Sequence, residues 1–382
     1  MIQKYAFIGI FAVLGVLPAT AQITDATLER YNAAAGGNVI EEKLAAAEQL
    51  ATEAIATPQD ADATLLAYEA AWTMCSVGYC TRAVPAADFA VSQPATDAHP
   101  VMADRKLLAA YARWRAAPNN ETRASLDSAL STVADEPPSM LSVSAFHNRY
   151  IADMSESDFE TAKQTAAAAA AHLFPVRDQV GPTWSGAAIT AAVASFNDDR
   201  EPEAIIDIAK AHAEISIMRH MSPSPPDWLL DRYYTSMAWQ SAMNAYFSSE
   251  GDAAREIEIA DQIVDDAITD DNHTHPDGPS IHTIDGLPSC DGKFNRPPKP
   301  TYPNRPAHQG YVGAVIALMD IDESGTITPR IGASVPGDMF DDEVLRSLKR
   351  LRWKWEDTAD GDPNCRKINR DVVYPFQFQL DG

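Results

Sequence analysis

Three groups of residues in this sequence have types and spacings that could do chemistry. His273, His275 and His282 stand among aspartates, a donor set that suits zinc. Their segment shows neither a helical nor a strand period, so nothing rigid would hold the ligands, and it reads as a loop. The run DIDESGTI, residues 320–327, opens like a calcium loop, with Asp320, Asp322 and Ser324 at alternate positions. The twelfth position should supply a bidentate glutamate and is Ile331, so the run reads as a hairpin turn in which Gly325 takes a positive φ. The third group is the cysteines Cys75, Cys80, Cys290 and Cys365.

No GxSxG, no P-loop and no GxGxxG between a strand and a helix occurs, so nucleophile-elbow and nucleotide chemistries have no carrier. His147, His172, His212 and His220 fall in or near helical stretches and read as packing or surface residues. Trp72, Trp114, Trp228 and Trp239 keep helical spacing with apolar neighbours and read as core. The chain is expected to be a non-enzyme with no cofactor and no bound metal.

The elements that carry these residues follow from composition. The sequence has 382 residues, 46% of them apolar, enough for about two cored domains. Its formal net charge of −24, with no basic stripe, excludes a nucleic-acid partner. The chain starts with Lys4, an apolar run over residues 5–17 and then PATA, which reads as a signal peptide cleaved after Ala21. The alternative is that this segment stays as an inner-membrane anchor facing the periplasm. Export makes disulfides permissible. Four cysteines allow three pairings, and the sequence does not choose among them. Cys75 and Cys80, with Gly78 between them, suit a local bridge at a helix end. A Cys290–Cys365 bridge would staple a linker to a late loop.

Residues 22–269 are helical nearly throughout. Segments at 41–56, 61–75, 102–117, 121–133, 156–173, 187–196, 203–220, 228–248 and 253–268 carry apolar residues at helical spacing. Breaks are expected at Pro58, Pro85, Pro118, Pro137-Pro138, Pro175, Pro182, the turn at 197–200 and the proline cluster at 222–226. Short helices with small contact residues predict stacked helical hairpins, a solenoid-like all-α domain. The run from Trp239 to Ile263 faintly resembles a tetratricopeptide unit, without a clean repeat elsewhere. Residues 270–306 read as a proline-rich linker, extended in its NRPPKPTYP portion.

Residues 307–382 read as a small α+β domain, an antiparallel sheet with one helix. An apolar run, YVGAVIALM at 311–319, leads to the acidic turn, and a second extended run covers 326–334. Asp341 opens a helical pattern, DDEVLRSLKRLRWKW, as its N-cap, with Val344, Leu345, Leu348, Leu351 and Trp355 on one stripe. The chain ends in an alternating strand over 372–380.

This order resembles the C-terminal domain of TonB-family energy transducers. The residues that carry the likeness are Tyr302-Pro303, Gly310-Tyr-Val-Gly313, DIDESG, Ser334, the aspartate-opened helix ending LRWKW, and the last strand. Glu356 stands where the family usually has proline, and the loop at 357–370 is long and holds Cys365. The resemblance implies a periplasmic protein of the Gram-negative envelope whose last strand adds a short segment of a TonB-dependent outer-membrane receptor. Carried over by match, the partner-binding candidates are Tyr302, Pro303, Val372, Tyr374, Phe376 and Phe378. Alternation would bury Phe376 and Phe378, and Tyr374 shares their parity, so backbone pairing is the expected mode. The family couples inner-membrane energy to outer-membrane transport. With the leader cleaved, the chain would lack the anchor for that task, and membrane contact would require its retention. The alternative expectation is a non-transducing periplasmic scaffold or adaptor with protein-binding helical repeats, its C-terminal domain packed on the helices.

Overall fold

The computed structural model describes residues 23–95, 101–250, 253–269, 283–284, 287–309, 311–357 and 364–379. The signal peptide expected at 1–21 and the histidines at 273, 275 and 282 lie outside them. Two compact units divide the chain, one ending at Ala145 and the other beginning at Phe146.

The first unit holds α1 (Asp25–Ala35), α2 (Ile40–Ala56), α3 (Ala63–Ser76), α4 (Cys80–Ser92), α5 (Met102–Ala116), α6 (Asn120–Val133) and the start of α7 (Met140–Glu156). From α1 to α6 each helix packs on its neighbour in sequence, as in a solenoid. Ala47, Ala54, Ala67, Ala71, Ala87 and Ala90 are all fully buried, so backbones approach closely where these helices meet. Asn119 caps α6: its side chain accepts from the Glu121 and Thr122 amides at 3.0 Å, and the Thr122 hydroxyl accepts from the Asn119 amide in return. Pro85, expected as a break, lies inside α4 instead. A proline there removes one helical hydrogen bond, and the alanine face around it, fully buried at Ala83 and Ala87, holds the helix by packing. A disulfide joins Cys75 at the end of α3 to Cys80 at the start of α4.

Arg105 of α5 is fully buried. Its guanidinium donates to the carbonyls of Ala90 at 2.8 Å and Gln93 at 3.0 Å, where α4 has run out of helical partners. A cation at a helix C-terminus satisfies orphan carbonyls and complements the dipole.

The second unit holds the rest of α7, then α8 (Phe159–Leu173), a 3₁₀ turn at Phe174–Val176, α9 (Gly181–Asp198), α10 (Glu203–His220), α11 (Asp227–Glu250) and α12 (Ala254–Thr269). After them come β1 (Thr283–Ile284), β2 (Leu287–Pro288), β3 (Gly292–Phe294), α13 (Asn304–Gln309), β4 (Gly313–Ile321), β5 (Ile327–Val335), α14 (Asp341–Lys349), β6 (Trp353–Trp355) and β7 (Asn369–Phe378). β4 is the centre of an antiparallel sheet of order β5–β4–β7, and β3 pairs with β6. The protein is thus an all-α region followed by a small α+β domain. Among the described residues, no helix is long and apolar enough to cross a membrane.

Three local expectations are corrected. The supposed linker is ordered at its end: β3 pairs with β6, and Cys290 is buried. The C-terminal helix stops at Lys349, and Trp353-Lys354-Trp355 is a strand. That WKW run fits a period of two as well as a helical stripe, and Asn295 decides between them. Its amide donates to the Arg352 carbonyl at 2.9 Å and its side chain accepts from the Arg352 amide at 3.2 Å. Third, Asp341 is the first helical residue, and Phe340 holds the N-cap without a side-chain cap. Phe340 is fully buried and stacks on Phe378 with centroids 4.4 Å apart, so packing sets the helix start.

His212 of α10 is a buried neutral imidazole. The Ser236 hydroxyl donates to the Tyr233 carbonyl at 2.9 Å, so at 2.8 Å from His212 Nδ1 it accepts, which places the ring proton on Nδ1. Burial, then the Arg219 charge, pushes its pKa from 6.5 down to about 4. Below pH 6.5 the unfolded chain takes up a proton that the folded chain refuses, so stability present above that pH is lost as pH falls toward 4. Urea denaturation of the His212→Gln variant should show a shallower loss between these limits than the parent, by up to one proton; parallel pH profiles would contradict this. Arg105→Met should cost roughly 2–4 kcal/mol in the same assay, because it strands the carbonyls of Ala90 and Gln93.

Candidate functional site

β4 frames the site. On one face Val315, Ala317 and Met319 join Phe340, Val344, Leu348, Phe376 and Phe378 in a core beneath α14. On the other face Ala314, Ile316 and Leu318 join Tyr234, Ala238 and Ala242 of α11. Every residue from Gly313 to Met319 is buried. At roughly 1.5–3 kcal/mol per large apolar side chain removed from water, burial on two faces makes this strand the anchor of the sheet. The turn after it is a hairpin. One oxygen of Asp322 accepts from the Ser324 amide, the Ser324 hydroxyl and the Thr326 amide at 2.9, 2.6 and 2.8 Å. The Ser324 hydroxyl foremost holds this exposed carboxyl below its ordinary range. Gly325 has φ +74°, and a Cβ on it would lie 2.0 Å from the Trp353 carbonyl oxygen.

Among the described residues, no strand pairs with the outer side of β7. Which of its backbone groups face outward follows from two prolines. Successive residues of β4 point their N–H and C=O groups alternately to β5 and to β7. Pro375 stands opposite Ile316, and Pro329 of β5 stands opposite Met319. Neither proline can donate, and a strand proline sits with its nitrogen toward the open side. Both conditions hold together when Ile316 and Leu318 bond to β5 while Val315, Ala317 and Met319 bond to β7. Val372, Tyr374 and Phe376 then turn their backbone groups inward, and Val373, Pro375 and Gln377 turn theirs to the open edge.

The six candidates from the sequence are therefore placed as follows. Phe376 and Phe378 are buried, and Val372 and Tyr374 pack half-buried against the same core. Tyr302 sets its ring edge-on to Phe340 and Phe378 at 5.7 and 5.8 Å and donates its hydroxyl to the Tyr311 carbonyl. It ties the proline-rich lead to the sheet, with Pro303 half-buried beside it. The outward row at 373, 375 and 377 escaped the sequence reading, though Pro329 and Pro375 were its visible signal. The second disulfide, Cys290–Cys365, links residues 75 apart and brings the segment before β3 to the loop before β7.

The helical region has a cavity of about 410 Å³ walled by Ala170, Phe174, Trp184, Ala211 and Ile263. Its charged rim is paired within itself, Arg177 with Glu214 at 3.2 Å and Lys210 with Asp207 at 3.4 Å. His172 and His212 are buried, and Trp72, Trp114, Trp228 and Trp239 are buried or half-buried, Trp239 against the sheet beside α11.

Among the described residues, this is a small domain of one three-stranded antiparallel sheet, edged by β5 and β7, with α14 over one face. Residues 298–380, about a fifth of the chain, match the family model of the Gram-negative bacterial TonB protein C-terminal. This stretch is a TonB-type C-terminal domain, preceded by a helical region. Neither a curated protein nor a solved structure matches the chain.

Phe378→Ala should lower unfolding stability by about 3–5 kcal/mol, because it empties a stacked core site. Gln377→Pro, at an exposed residue whose amide faces outward, should cost no more than about 1 kcal/mol. A Gln377→Pro loss as large as that of Phe378→Ala would reverse the assignment of the two rows.

Proposed function

We propose that this protein works in the Gram-negative envelope by binding partner proteins through strand addition on the outer edge of β7. The observation that supports it most is the unpaired outer side of β7 in a TonB-type domain. An extended segment laid there would accept from the outward amides of Val373 and Gln377 and skip one rung at Pro375. With Tyr374, Phe376 and Phe378 committed to the core, the backbone supplies the affinity, and exposed Gln377 and Pro375 supply side-chain contact. The partner that suits this mode is a short segment of an outer-membrane receptor of the TonB-dependent kind. The protein acts in the periplasm after cleavage at Ala21.

A second reading is a scaffold or adaptor that does not transduce energy. It is favoured by α11, which covers the sheet face that Ala314, Ile316 and Leu318 present. A domain mounted on a helix in this way is carried by its own chain rather than tethered at the end of a spacer. On this second reading the helical repeats, rather than the edge of β7, bind the partner.

A photoreactive benzoylphenylalanine at position 377, in living cells, should yield an adduct with an outer-membrane protein. The same group at exposed Lys210 on α10 should not. No adduct at 377, or an equal yield at 210, would remove β7 as the contact.

A further inference from the structure

After β3 the chain runs along the end of α14 and closes a concavity of about 270 Å³, lined by Arg296, Pro297, Lys299, Ser347, Arg350 and Leu351. Asn295 holds the two walls together through its paired contacts with Arg352. Three of the six lining residues are cations. Among the described residues, none of the three has a carboxylate within ion-pair distance, although the chain holds 54 acidic residues to 30 basic ones. All three are exposed, and like charges lining one concavity favour an anion between them. The end of α14 does not balance them. Its Ser347 and Leu348 carbonyls already accept from the Arg350 and Leu351 amides at 3.3 and 3.0 Å. A helix terminus also carries only about half a unit of charge.

The donors select the anion. Two guanidiniums and an ammonium line it from two separate stretches, Arg296 and Lys299 from the extended segment and Arg350 from the helix end, with Ser347 from α14. A planar carboxylate is satisfied by one fork, whereas a tetrahedral group with three or four acceptor oxygens uses donors from several directions. We propose that this concavity binds a phosphoryl group, either that of a phospholipid headgroup or that of a soluble phosphate. The proposal is independent of strand addition at β7.

The test uses the full mature chain. Inorganic pyrophosphate is titrated calorimetrically at low ionic strength. Flotation is measured with phosphatidylcholine vesicles with and without phosphatidylglycerol. The triple variant Arg296→Gln/Lys299→Gln/Arg350→Gln should bind at least about tenfold more weakly. Lys106→Gln/Lys210→Gln/Arg255→Gln removes the same charge from exposed sites elsewhere and should change binding less than about twofold. Binding of pyrophosphate alone assigns a soluble phosphate, and binding of the anionic vesicles assigns the headgroup. The proposal fails if neither ligand binds, if both triple variants lose binding equally, or if a polyglutamate peptide binds more tightly than pyrophosphate.

Discussion

The sheet depends on a single strand buried on both faces. β4 supplies Val315, Ala317 and Met319 to the core under α14 and Ala314, Ile316 and Leu318 to the core under α11. Two consequences follow. The domain is not a free-standing module hung from the helices, since α11 completes one of its two cores. Both outer strands are also oriented by β4, whose alternating backbone leaves each proline facing outward. Position and edge chemistry of β7 therefore trace to the same nine residues, Gly313–Ile321.

Much of this was legible in the residues. In the C-terminal domain the hairpin of β4 and β5 with Gly325 at its turn, the helix after it and the last strand follow from period and glycine, as do several helix limits upstream. What was not legible depended on contacts distant in sequence. The run 311–319 is almost uninterrupted in its apolar residues, which marks a strand covered twice, but the second cover comes from α11, far upstream and apolar on more than one side. The WKW triplet satisfies a helical stripe and a strand alternation equally, and only Asn295 and β3 separate the two. The candidate edge residues were carried over by match, and the four on β7 share the inward parity. The lining cations of the 270 Å³ concavity come from two separate stretches, and no local pattern joins them.

The two prolines also set a balance at the edges. An open strand invites pairing with any extended chain, and a proline removes a donor from the row it exposes. Pro329 and Pro375 blunt one outer strand each while leaving the ladders to β4 intact. On β7 the gap lies between two remaining outward amides, so an incoming segment must tolerate one missing rung. Such an edge discriminates by register, because a shifted partner loses further bonds.

The Cys290–Cys365 bridge has a mechanical meaning. Tension along the chain from the helices would reach Cys290 before β3, α13 and β4, and would cross to Cys365 just ahead of Asn369. The covalent path through β3, α13 and β4 would thereby be bypassed. Such a pull would load β7 lengthwise, with its backbone ladder to β4 in shear.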